Sequence, residues 1–442
     1  MWLARCAPAG RDRHPAARRG QPRGCLASMG DGSSASRGGL DVIVVGAGVG
    51  GAAAAVSLRL AGHKVTVLEQ AREQASAGAG IQLAPNATRI LAQFGVAEAL
   101  AADALVPQRI VRRSWRDGTV LGERPLGDAV AVRYDAPFWH VHRADLHTAL
   151  MSAATRPSGP GYAATFRFDA EVSGLHVGGT TPEVVTSRGE SYRGDLVVGA
   201  DGVHSKLRTL LFGGGKSRGL PKGVAYRTLI PVSKLHRGGE AKFQDILGPD
   251  PAITEWLSPG VHFIHYYVSR GRYLNAALLR YSAEADPGVE SWLRQADRRE
   301  YLALLDGWDP RLVALAKLAD TVFCTGVYER EPLAEWVSGT VCLLGDACHP
   351  MMPTQAQGAA QAIEDAWYLG RVLRDAGPDS LAGALAAYQE ERLPRTAAVQ
   401  QLSAIDRGIG LIPGHAAAAR RGEEPTDFSP YEWLWPYGQD AQ

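Results

Sequence analysis

The sequence predicts an α/β protein. A Rossmann-like dinucleotide-binding domain with a GxGxxG turn carries an inserted, mainly antiparallel β-sheet domain and is followed by C-terminal helices. Three observations predict this architecture. A glycine-rich turn at residues 46–51 lies between two short apolar runs. Strand-like segments recur between residues 224 and 322, and helical patterns follow residue 358. A chain of 442 residues is long enough to bury the cores of two such domains.

The glycine-rich turn has the pattern that binds the pyrophosphate of a dinucleotide. The β-branched run at residues 41–45 predicts a buried strand, and the small residues after the turn predict a helix. Gly46 permits the sharp turn, Gly48 lets the backbone approach a pyrophosphate, and Gly51 lets helix and strand pack closely. The N-terminus of the helix offers free N–H groups to an anion. Glu69, at the end of the next strand, can accept hydrogen bonds from a ribose.

The later elements are predicted from hydrophobic period and turn residues. Helices are predicted at residues 87–94, 143–153, 289–305, 358–374 and 381–409, and strands at 196–198, 261–268, 273–281 and 340–344. Turn signals at Asp117-Gly118 and Gly127-Asp128 interrupt a strand-like stretch. Residues 108–141 are therefore predicted to form a β-ribbon.

Charge and cysteine usage restrict the partners. The net charge of +1 provides no basic surface for nucleic acid, and no stable membrane insertion is expected. Five cysteines without a CxxC pair predict free thiols in a reducing, cytoplasmic compartment and no metal site. A monomer or a homodimer is expected.

The first 39 residues differ from the rest of the chain. They contain seven arginines and two acidic residues, with no apolar stretch typical of a secretory signal. We interpret residues 1–39 as a disordered extension, or as upstream sequence translated before a true initiator at Met29. A transit peptide is the alternative interpretation.

Three motifs occur in a fixed order along the chain. They are Gly46-Ala-Gly-Val-Gly-Gly51 with Glu69, Asp195-Leu-Val-Val-Gly-Ala-Asp201-Gly202, and Gly345-Asp346-Ala-Cys-His-Pro350-Met-Met-Pro353. With these motifs the chain resembles the single-component flavoprotein aromatic hydroxylases of the p-hydroxybenzoate hydroxylase type, and among them the salicylate hydroxylases. The resemblance covers about residues 40–442, including Arg143-Ala-Asp-Leu146 and a closing Trp-rich segment.

The resemblance implies an FAD-dependent monooxygenase that consumes NADH or NADPH and O2. In such enzymes a flavin C4a-hydroperoxide hydroxylates an electron-rich ring, which for this chain is expected to be a salicylate-like phenolic acid, with or without loss of CO2. FAD is expected to bind tightly and non-covalently. The nicotinamide is expected to bind transiently, since the sequence has no second GxGxxG.

Other functions stay open at this point. One is hydroxylation of a 3-hydroxybenzoate-type or hydroxynicotinate-type ring, and another is hydroxylation or epoxidation of a larger secondary metabolite. An FAD reductase or oxidase that inserts no oxygen ranks below these, as does a binding protein that keeps the fold without turnover.

The resemblance also assigns the cofactor site. It places Asp346 on the ribityl chain, Asp201 and its neighbour on the pyrophosphate and the nicotinamide, and Arg143 on the cofactor. The residues expected to bind FAD are Gly46, Gly48, Gly51, Glu69, Gly80, Arg143, Asp201, Gly202, Asp346 and Gly358. The alternative for Asp346 is a helix cap, for Asp201 a role in holding its loop, and for Arg143 an ordinary surface arginine.

A base near the ring would favour the phenolate, and a histidine or a tuned tyrosine suits that task. The catalytic candidates are His265, Tyr226 and Tyr267 of the predicted sheet domain, with Pro353 in a rigid loop beside the flavin. His262 and His265 are three positions apart, so on a strand they face opposite sides. At most one of them can therefore point into the cleft.

Two further residues are candidate substrate contacts. Arg227 could bind a carboxylate, and Gln355 follows the proline of the third motif. A structural ion pair or a packing role is the alternative. Salicylate-type relatives commonly have an aromatic–Leu pair at Thr354-Gln355, and often a basic residue where this chain has Ser76-Ala77. The first departure predicts a more polar or wider pocket.

The predicted domain boundaries follow from these assignments. The FAD-binding domain comprises residues 40–107, 143–214 and 327–374, the substrate domain comprises 108–142 and 215–326, and residues 375–442 form a C-terminal helical region.

Overall fold

The computed structural model describes residues 39–73, 79–178, 181–213, 221–237, 241–281, 294–405 and 431–439. Several expectations lie outside these ranges. They concern the Arg-rich extension with Met29, the departure at Ser76-Ala77, the first part of the predicted helix 289–305, and the end of the predicted helix 381–409.

The described residues form eighteen strands and twelve α-helices. The strands are β1 (Asp41–Val45), β2 (Lys64–Leu68), β3 (Gly80–Leu83), β4 (Arg109–Ser114), β5 (Val120–Pro125), β6 (Trp139–His142), β7 (Thr165–Arg167), β8 (Val172–His176), β9 (Glu183–Thr186), β10 (Ser191–Arg193), β11 (Leu196–Gly199), β12 (Pro221–Pro231), β13 (Ala252–Ser258), β14 (Val261–Val268), β15 (Tyr273–Tyr281), β16 (Phe323–Tyr328), β17 (Val337–Ser338) and β18 (Val341–Leu343). The helices are α1 (Val49–Leu60), α2 (Pro85–Gln93), α3 (Ala97–Ala101), α4 (Gly127–Tyr134), α5 (Arg143–Thr155), α6 (Lys206–Phe212), α7 (Val232–Arg237), α8 (Ala241–Leu247), α9 (Arg298–Ala303), α10 (Pro310–Ala316), α11 (Gly358–Leu373) and α12 (Leu381–Ile405).

A six-stranded sheet in the order β17-β18-β11-β1-β2-β7 forms the nucleotide-binding part. Its pairs are parallel except β17 with β18, and Val44 of β1 is in register with Val198 and Val67. The central strands β11 and β18 are fully buried, and β1 is buried from Val42 to Val45, because helices cover both faces of a parallel sheet. Helix α1 crosses α11 closely, since a Cβ on Gly370 would lie 2.2 Å from Ser57 Oγ.

A seven-stranded sheet in the order β16-β12-β15-β14-β13-β4-β5 forms the second part. Its pairs are antiparallel, apart from β13 with β4. The predicted fold class is therefore confirmed: an α/β nucleotide-binding domain with a mainly antiparallel sheet inserted in pieces. The strands predicted at 261–268 and 273–281 have the bounds that the sequence indicated.

The β-ribbon predicted for residues 108–141 is correct only in its first half. Strands β4 and β5 form the hairpin, but residues 127–134 form helix α4. Val130 and Tyr134, four residues apart, are both buried on one side of this helix. That spacing is typical of a helix, and the Gly127-Asp128 turn signal concealed it.

Strand β3 brings the two sheets together. Gly80 N donates a hydrogen bond to Asn275 Oδ1 of β15 at 2.7 Å. A Cβ on Gly80 would lie 2.8 Å from both Asn275 and the Tyr266 ring, so only glycine permits this approach. Within the described ranges, the structure has no helix that is both long and apolar enough to span a bilayer.

Candidate functional site

The glycine turn after β1 has the shape that a pyrophosphate requires. Gly46 has φ +100°, and a Cβ on Gly51 would lie 1.9 Å from Gly46 O. By contrast, a Cβ on Gly48 would meet no atom within 4 Å, and Gly48 is exposed at the start of α1. The first and third glycines are therefore required by the protein's own packing. The second leaves open space in front of a helix N-terminus, where an anion is stabilised.

Glu69 lies at the end of β2 beside this turn. Its carboxylate accepts hydrogen bonds from Ala47 N at 2.7 Å and Ala71 N at 2.9 Å. These bonds hold an acid at the edge of the turn, where a ribose would lie. His147 of α5, which the sequence motifs did not single out, contacts Ala47 O, and burial lowers the pKa of this histidine.

Asp346 follows β18 at the carboxyl edge of the six-stranded sheet. Its side chain is exposed to the cleft, and its Oδ1 lies 3.9 Å from where a Cβ on Gly358 would be. Desolvation by the neighbouring protein atoms raises the pKa of the Asp346 carboxyl, while the charges of His349 and Arg143 oppose that effect. Asp346, Arg143 and the N-terminus of α11 therefore face one cleft, and the side chain at N-cap Gln357 leaves that helix end uncapped.

Asp201 and Gly202 follow β11, the neighbouring strand. Asp201 Oδ2 accepts hydrogen bonds from Lys206 N and Leu207 N, at 2.8 and 3.1 Å, at the start of α6. Asp201 Oδ1 is buried and has no hydrogen-bond partner among the described residues. One oxygen thus has a structural role, as the alternative interpretation proposed, and the other can still accept a bond from a ligand.

A buried ionic network fixes the loop that carries Asp346. Asp365 Oδ2 accepts from Gly345 N at 3.0 Å and pairs with His349 Nε2 at 2.5 Å. Arg392 Nε donates to the other oxygen of Asp365 at 2.8 Å. Burial alone would raise the pKa of Asp365, but His349 and Arg392 hold it below its usual value. His349 therefore positions the loop.

Cys348, His349 and Asp365 also have ligand atoms within 4.8 Å of one another. Arg392 is already bonded to Asp365, and burial raises the pKa of the Cys348 thiol well above its usual value. A neighbouring guanidinium and a protonated thiol both disfavour a cation. The absence of a metal stays a prediction.

The seven-stranded sheet has two different faces. One side packs on Met351 and Met352, which lie in the loop between Asp346 and α11. We call this side the chamber face. We call the side that packs on α8, α9 and α10 the helix face. Ile264 and Leu279 cluster with the methionines on the chamber face, whereas Trp256 and Phe263 cluster with Leu312 on the helix face.

The predicted catalytic residues of the sheet lie on the helix face. His265 accepts a hydrogen bond from Trp256 Nε1 at 3.2 Å, and burial lowers its pKa to about 3. Tyr226 donates to Glu300 Oε1, and Tyr267 packs against the same apolar cluster. Strand alternation turns all three side chains away from the loop that contains Pro353.

A different pair of side chains on β14 lies on the chamber face. His262 is opposite Leu279, and its buried Nε2 has no hydrogen-bond partner among the described residues. Burial lowers the pKa of His262, while Glu255 opposes that effect. The Tyr266 ring lies 4.4 Å from the fully buried His140 ring, centroid to centroid.

Arg227 of β12 also lies on the chamber face, opposite Ala277. Burial and the nearby Arg143 lower the pKa of Arg227 to about 10. Burial likewise lowers the pKa of Arg143, and Asp346 opposes that effect. Two cations and one carboxylate therefore lie close together where the cofactor cleft meets the sheet.

The loop of the third motif covers this face. Pro353 is exposed and starts a short 3-10 turn that ends at the buried Gln355. Gln355 Oε1 accepts a hydrogen bond from the hydroxyl of Tyr431 at 3.2 Å. Pro353 and Gln355 thus lie near the chamber face, whereas His265, Tyr226 and Tyr267 do not.

Tyr266 was not among the residues predicted from the sequence, and His262 was not ranked above His265. Glu255 lies on the face of β13 that points the same way as His262, one strand away, and pairs with Arg112 at 2.9 Å. The pair formed by Arg112 and Glu255 indicates that this face of the sheet is lined by polar groups. Because His262 lies on the same face, the pair is the signal that could have favoured His262 over His265.

These features are those of a nucleotide-binding protein in which a glycine turn, Glu69 and Asp346 lie at the edge of the six-stranded sheet, close to the seven-stranded sheet. A family model described as an FAD binding domain matches residues 39–219 and 325–403. The chain is 36% identical over 406 residues to 3-amino-4-hydroxybenzoate 2-monooxygenase PtnB3 of Streptomyces platensis, covering 90% of this chain and 96% of that protein. It is 33% identical to 6-hydroxynicotinate 3-monooxygenase of Pseudomonas fluorescens, covering 82% of this chain and 90% of that one.

A solved structure of a salicylate hydroxylase substrate complex has the same fold, with a TM-score of 0.75 at 22% identity, covering 92% of this chain and 97% of the other. The chain belongs to the FAD-dependent aromatic monooxygenase family, and the resemblance drawn from its three motifs is confirmed.

The cofactor of this family is FAD, with NAD(P)H as electron donor and O2 as the second substrate. The residues present fit FAD. The open space at Gly48 suits a pyrophosphate, the acid at Glu69 suits a ribose, and Asp346 at the cleft suits the ribityl hydroxyls.

Proposed function

We propose that this monooxygenase hydroxylates a small phenolic acid held between the chamber face and the loop 351–355. The observation that carries the proposal is His262, a half-buried histidine on the chamber face whose buried Nε2 has no hydrogen-bond partner among the described residues. The substrate named for each curated relative above is a ring with a hydroxyl and a carboxylate, which supports the same substrate class for this chain.

When bound, FAD supplies electron transfer from NAD(P)H and oxygen activation. The chain's own residues prepare the ring. His262 is neutral near pH 7 because burial lowers its pKa, so its Nε2 can accept the phenol proton. Loss of that proton makes the ring more electron-rich. Tyr266 and the apolar side chains Ile264 and Leu279 hold the ring and exclude water.

The substrate's carboxylate needs a polar partner. We propose Arg227 and Gln355 as its two contacts, because one is a cation on the chamber face and the other lies in the covering loop. The FAD contacts proposed are those that the resemblance assigned, from Gly46 to Gly358, with Arg143 close to Asp346.

We also propose a cytoplasmic enzyme that acts as a monomer or homodimer and binds no nucleic acid. The buried free thiols of Cys324, Cys342 and Cys348 support a reducing compartment. The proposed domain boundaries remain those predicted from the sequence.

The substrate class is tested by NAD(P)H oxidation with matched ligands. The panel comprises salicylate, 3-hydroxybenzoate, 6-hydroxynicotinate and 3-amino-4-hydroxybenzoate, each paired with its O-methyl ether. At least one phenol should stimulate oxidation and be hydroxylated, and its ether should not be hydroxylated because it has no ring-hydroxyl proton to lose. If no phenol on the panel yields a hydroxylated product, the small-phenol proposal is wrong.

The role of His262 is tested against His265 in the same strand. His262→Asn should lower kcat/KM by about 10²–10⁴-fold with unchanged FAD content, the range for loss of a general base. His265→Gln should turn over like the parent, because its side chain lies on the helix face. Equal losses in the two variants would contradict the assignment.

A further inference from the structure

Gln357, the residue immediately before α11, has a side-chain amide that is only half used inside the protein. The residue is 1% exposed. Its Oε1 accepts hydrogen bonds from Asn86 Nδ2 at 3.0 Å and from Gln361 Nε2 at 3.1 Å. Its Nε2 is buried and has no hydrogen-bond partner among the described residues. Buried donors are nearly always bonded in folded proteins, so this one indicates a ligand or a water.

The neighbours of Gln357 determine which end of its amide is which. Glu364 is ion-paired with two arginines, so its oxygens only accept. Glu364 Oε1 accepts from Asn86 Nδ2 at 2.6 Å and from Gln361 Nε2 at 3.1 Å. Arg392 Nη2 donates to Gln361 Oε1 at 2.8 Å. Because Asn86 and Gln361 thus present N–H groups, Gln357 must turn its oxygen toward them and its own two N–H donors elsewhere.

These donors lie at the edge of the cofactor cleft. Gln357 is the N-cap position of the 16-residue helix α11, and its side chain makes no capping bond. The next residue is Gly358, where an added Cβ would lie 3.9 Å from Asp346 Oδ1. The bonded neighbour Asn86 lies in the first turn of α2, which closely follows β3. The unpartnered Nε2 therefore lies between the loop that carries Asp346 and the end of β3.

The polar groups at this position fit a flat ring that has both acceptors and a donor. Asn86 Oδ1 is buried without a partner among the described residues, so it offers an acceptor next to the amide of Gln357. The N-terminus of α11 adds a partial positive charge. The pyrimidine part of a flavin has a carbonyl group on either side of an N–H, and it gains negative charge when the flavin is reduced. A hydrogen bond to a charged group is stronger than one to a neutral group.

We propose that Gln357 Nε2 donates a hydrogen bond to a carbonyl oxygen or ring nitrogen of the flavin, and that this bond strengthens when the flavin is reduced. Gln357 then raises the reduction potential of bound FAD and favours electron transfer from NAD(P)H. The proposal goes beyond the proposed function, because it concerns the cofactor and holds for any aromatic substrate.

The test is the reduction potential of the FAD-loaded enzyme, measured against a reference dye without any aromatic substrate. Gln357→Met removes the donors, while Asn86 and Gln361 keep Glu364 as an acceptor. Reduced FAD should lose about tenfold more affinity than oxidised FAD, which lowers the two-electron potential by about 30 mV. Gln357→Leu lacks the same donors and should give the same fall.

Gln361→Met is the matched control from the same network. Both ends of the Gln361 amide are bonded to protein groups. Its loss should therefore destabilise the protein, through Arg392, and leave the potential at the parent value. An unchanged potential in Gln357→Met and Gln357→Leu would show that a buried water binds Nε2, and would overturn the proposal. So would an equal fall in Gln361→Met, because the effect would then come from the network. Neither result depends on turnover, so a failure of small-phenol hydroxylation would leave the proposal standing.

Discussion

Arg392 of α12 and Glu364 of α11 form a salt bridge of 2.6 Å in which neither side chain has any exposed surface. Asp365 shares the same guanidinium, and Arg395 pairs with the same glutamate. Burial alone would raise the pKa of Glu364, but Arg392 and Arg395 hold it below its usual value. The network joins the loop that carries Asp346 to helices α11 and α12. Through Arg395 it also reaches the C-terminal segment Tyr431–Gln439.

The first prediction concerns removal of the central cation. Arg392→Met should lower the free energy of unfolding by about 3–5 kcal/mol, because it leaves buried carboxylates with fewer partners. Urea denaturation at pH 7 measures this change. Arg133→Met, which breaks an exposed pair with Glu432, should cost less than about 1 kcal/mol. Equal losses would show that the buried network is not specially important for stability.

The second prediction separates the roles of two glycines. Gly51→Ala should destabilise the FAD-free protein, because the new Cβ would lie 1.9 Å from Gly46 O. Gly48→Ala meets no atom within 4 Å, so the FAD-free protein should keep its melting temperature while FAD binding weakens. Thermal melts of FAD-free protein and FAD titrations give both values. A Gly48→Ala variant that binds FAD normally would contradict the placement of the pyrophosphate.

The glycine motif was predictable because its chemistry is local in sequence. Strands β14 and β15 were predictable because each is a run rich in aromatic and apolar residues that follows a turn signal, Pro259-Gly260 or Gly271. The face of β14 that lines the chamber was not predictable. Phe263 and Tyr267 on one face alternate with Ile264 and Tyr266 on the other, so both faces are apolar enough for a core. The two faces differ only in what packs on them, which is α10 on one side and Met351 and Met352 on the other. Both partners are distant from β14 in sequence.

The docking of the C-terminal segment was unpredictable for a related reason. The segment Tyr431–Gln439 is held by Arg89 and Arg395, which are both distant from it in sequence. A basic residue on a predicted helix usually lies on a solvated face, so neither arginine would be expected to bind it. These arginines bind backbone carbonyl groups, which every residue has, so the sequence does not indicate which residues they contact.

The third prediction is a pH dependence of stability. The pKa of His265 is about 3 in the folded protein and 6.5 ordinarily, so between these values the unfolded chain binds a proton that the folded protein does not. The free energy of unfolding should therefore fall as pH falls from 6.5 toward 3, by about 1.4 kcal/mol per pH unit for each such histidine. His140, with the same shift, contributes in the same direction.

His265→Gln should reduce the slope of the free energy of unfolding against pH by the contribution of one titrating histidine, because glutamine does not titrate. Glutamine can still accept the hydrogen bond from Trp256. Urea denaturation between about pH 6 and pH 4.5 measures the slope. The control is the exposed His176→Asn, which should leave the slope at the parent value. An unchanged slope in His265→Gln would show that His265 is protonated in the folded state.

The source of oxygen in the product is the most direct evidence for or against monooxygenase activity. The enzyme, with NADH or NADPH and a phenolic acid that stimulates oxidation, is supplied with ¹⁸O2 in unlabelled water, and the product is analysed by mass spectrometry. We expect a hydroxylated ring that contains one ¹⁸O atom. If NAD(P)H oxidation yields only hydrogen peroxide across the panel, or if the oxygen of the new ring hydroxyl comes from water, the enzyme is not an aromatic monooxygenase of this kind.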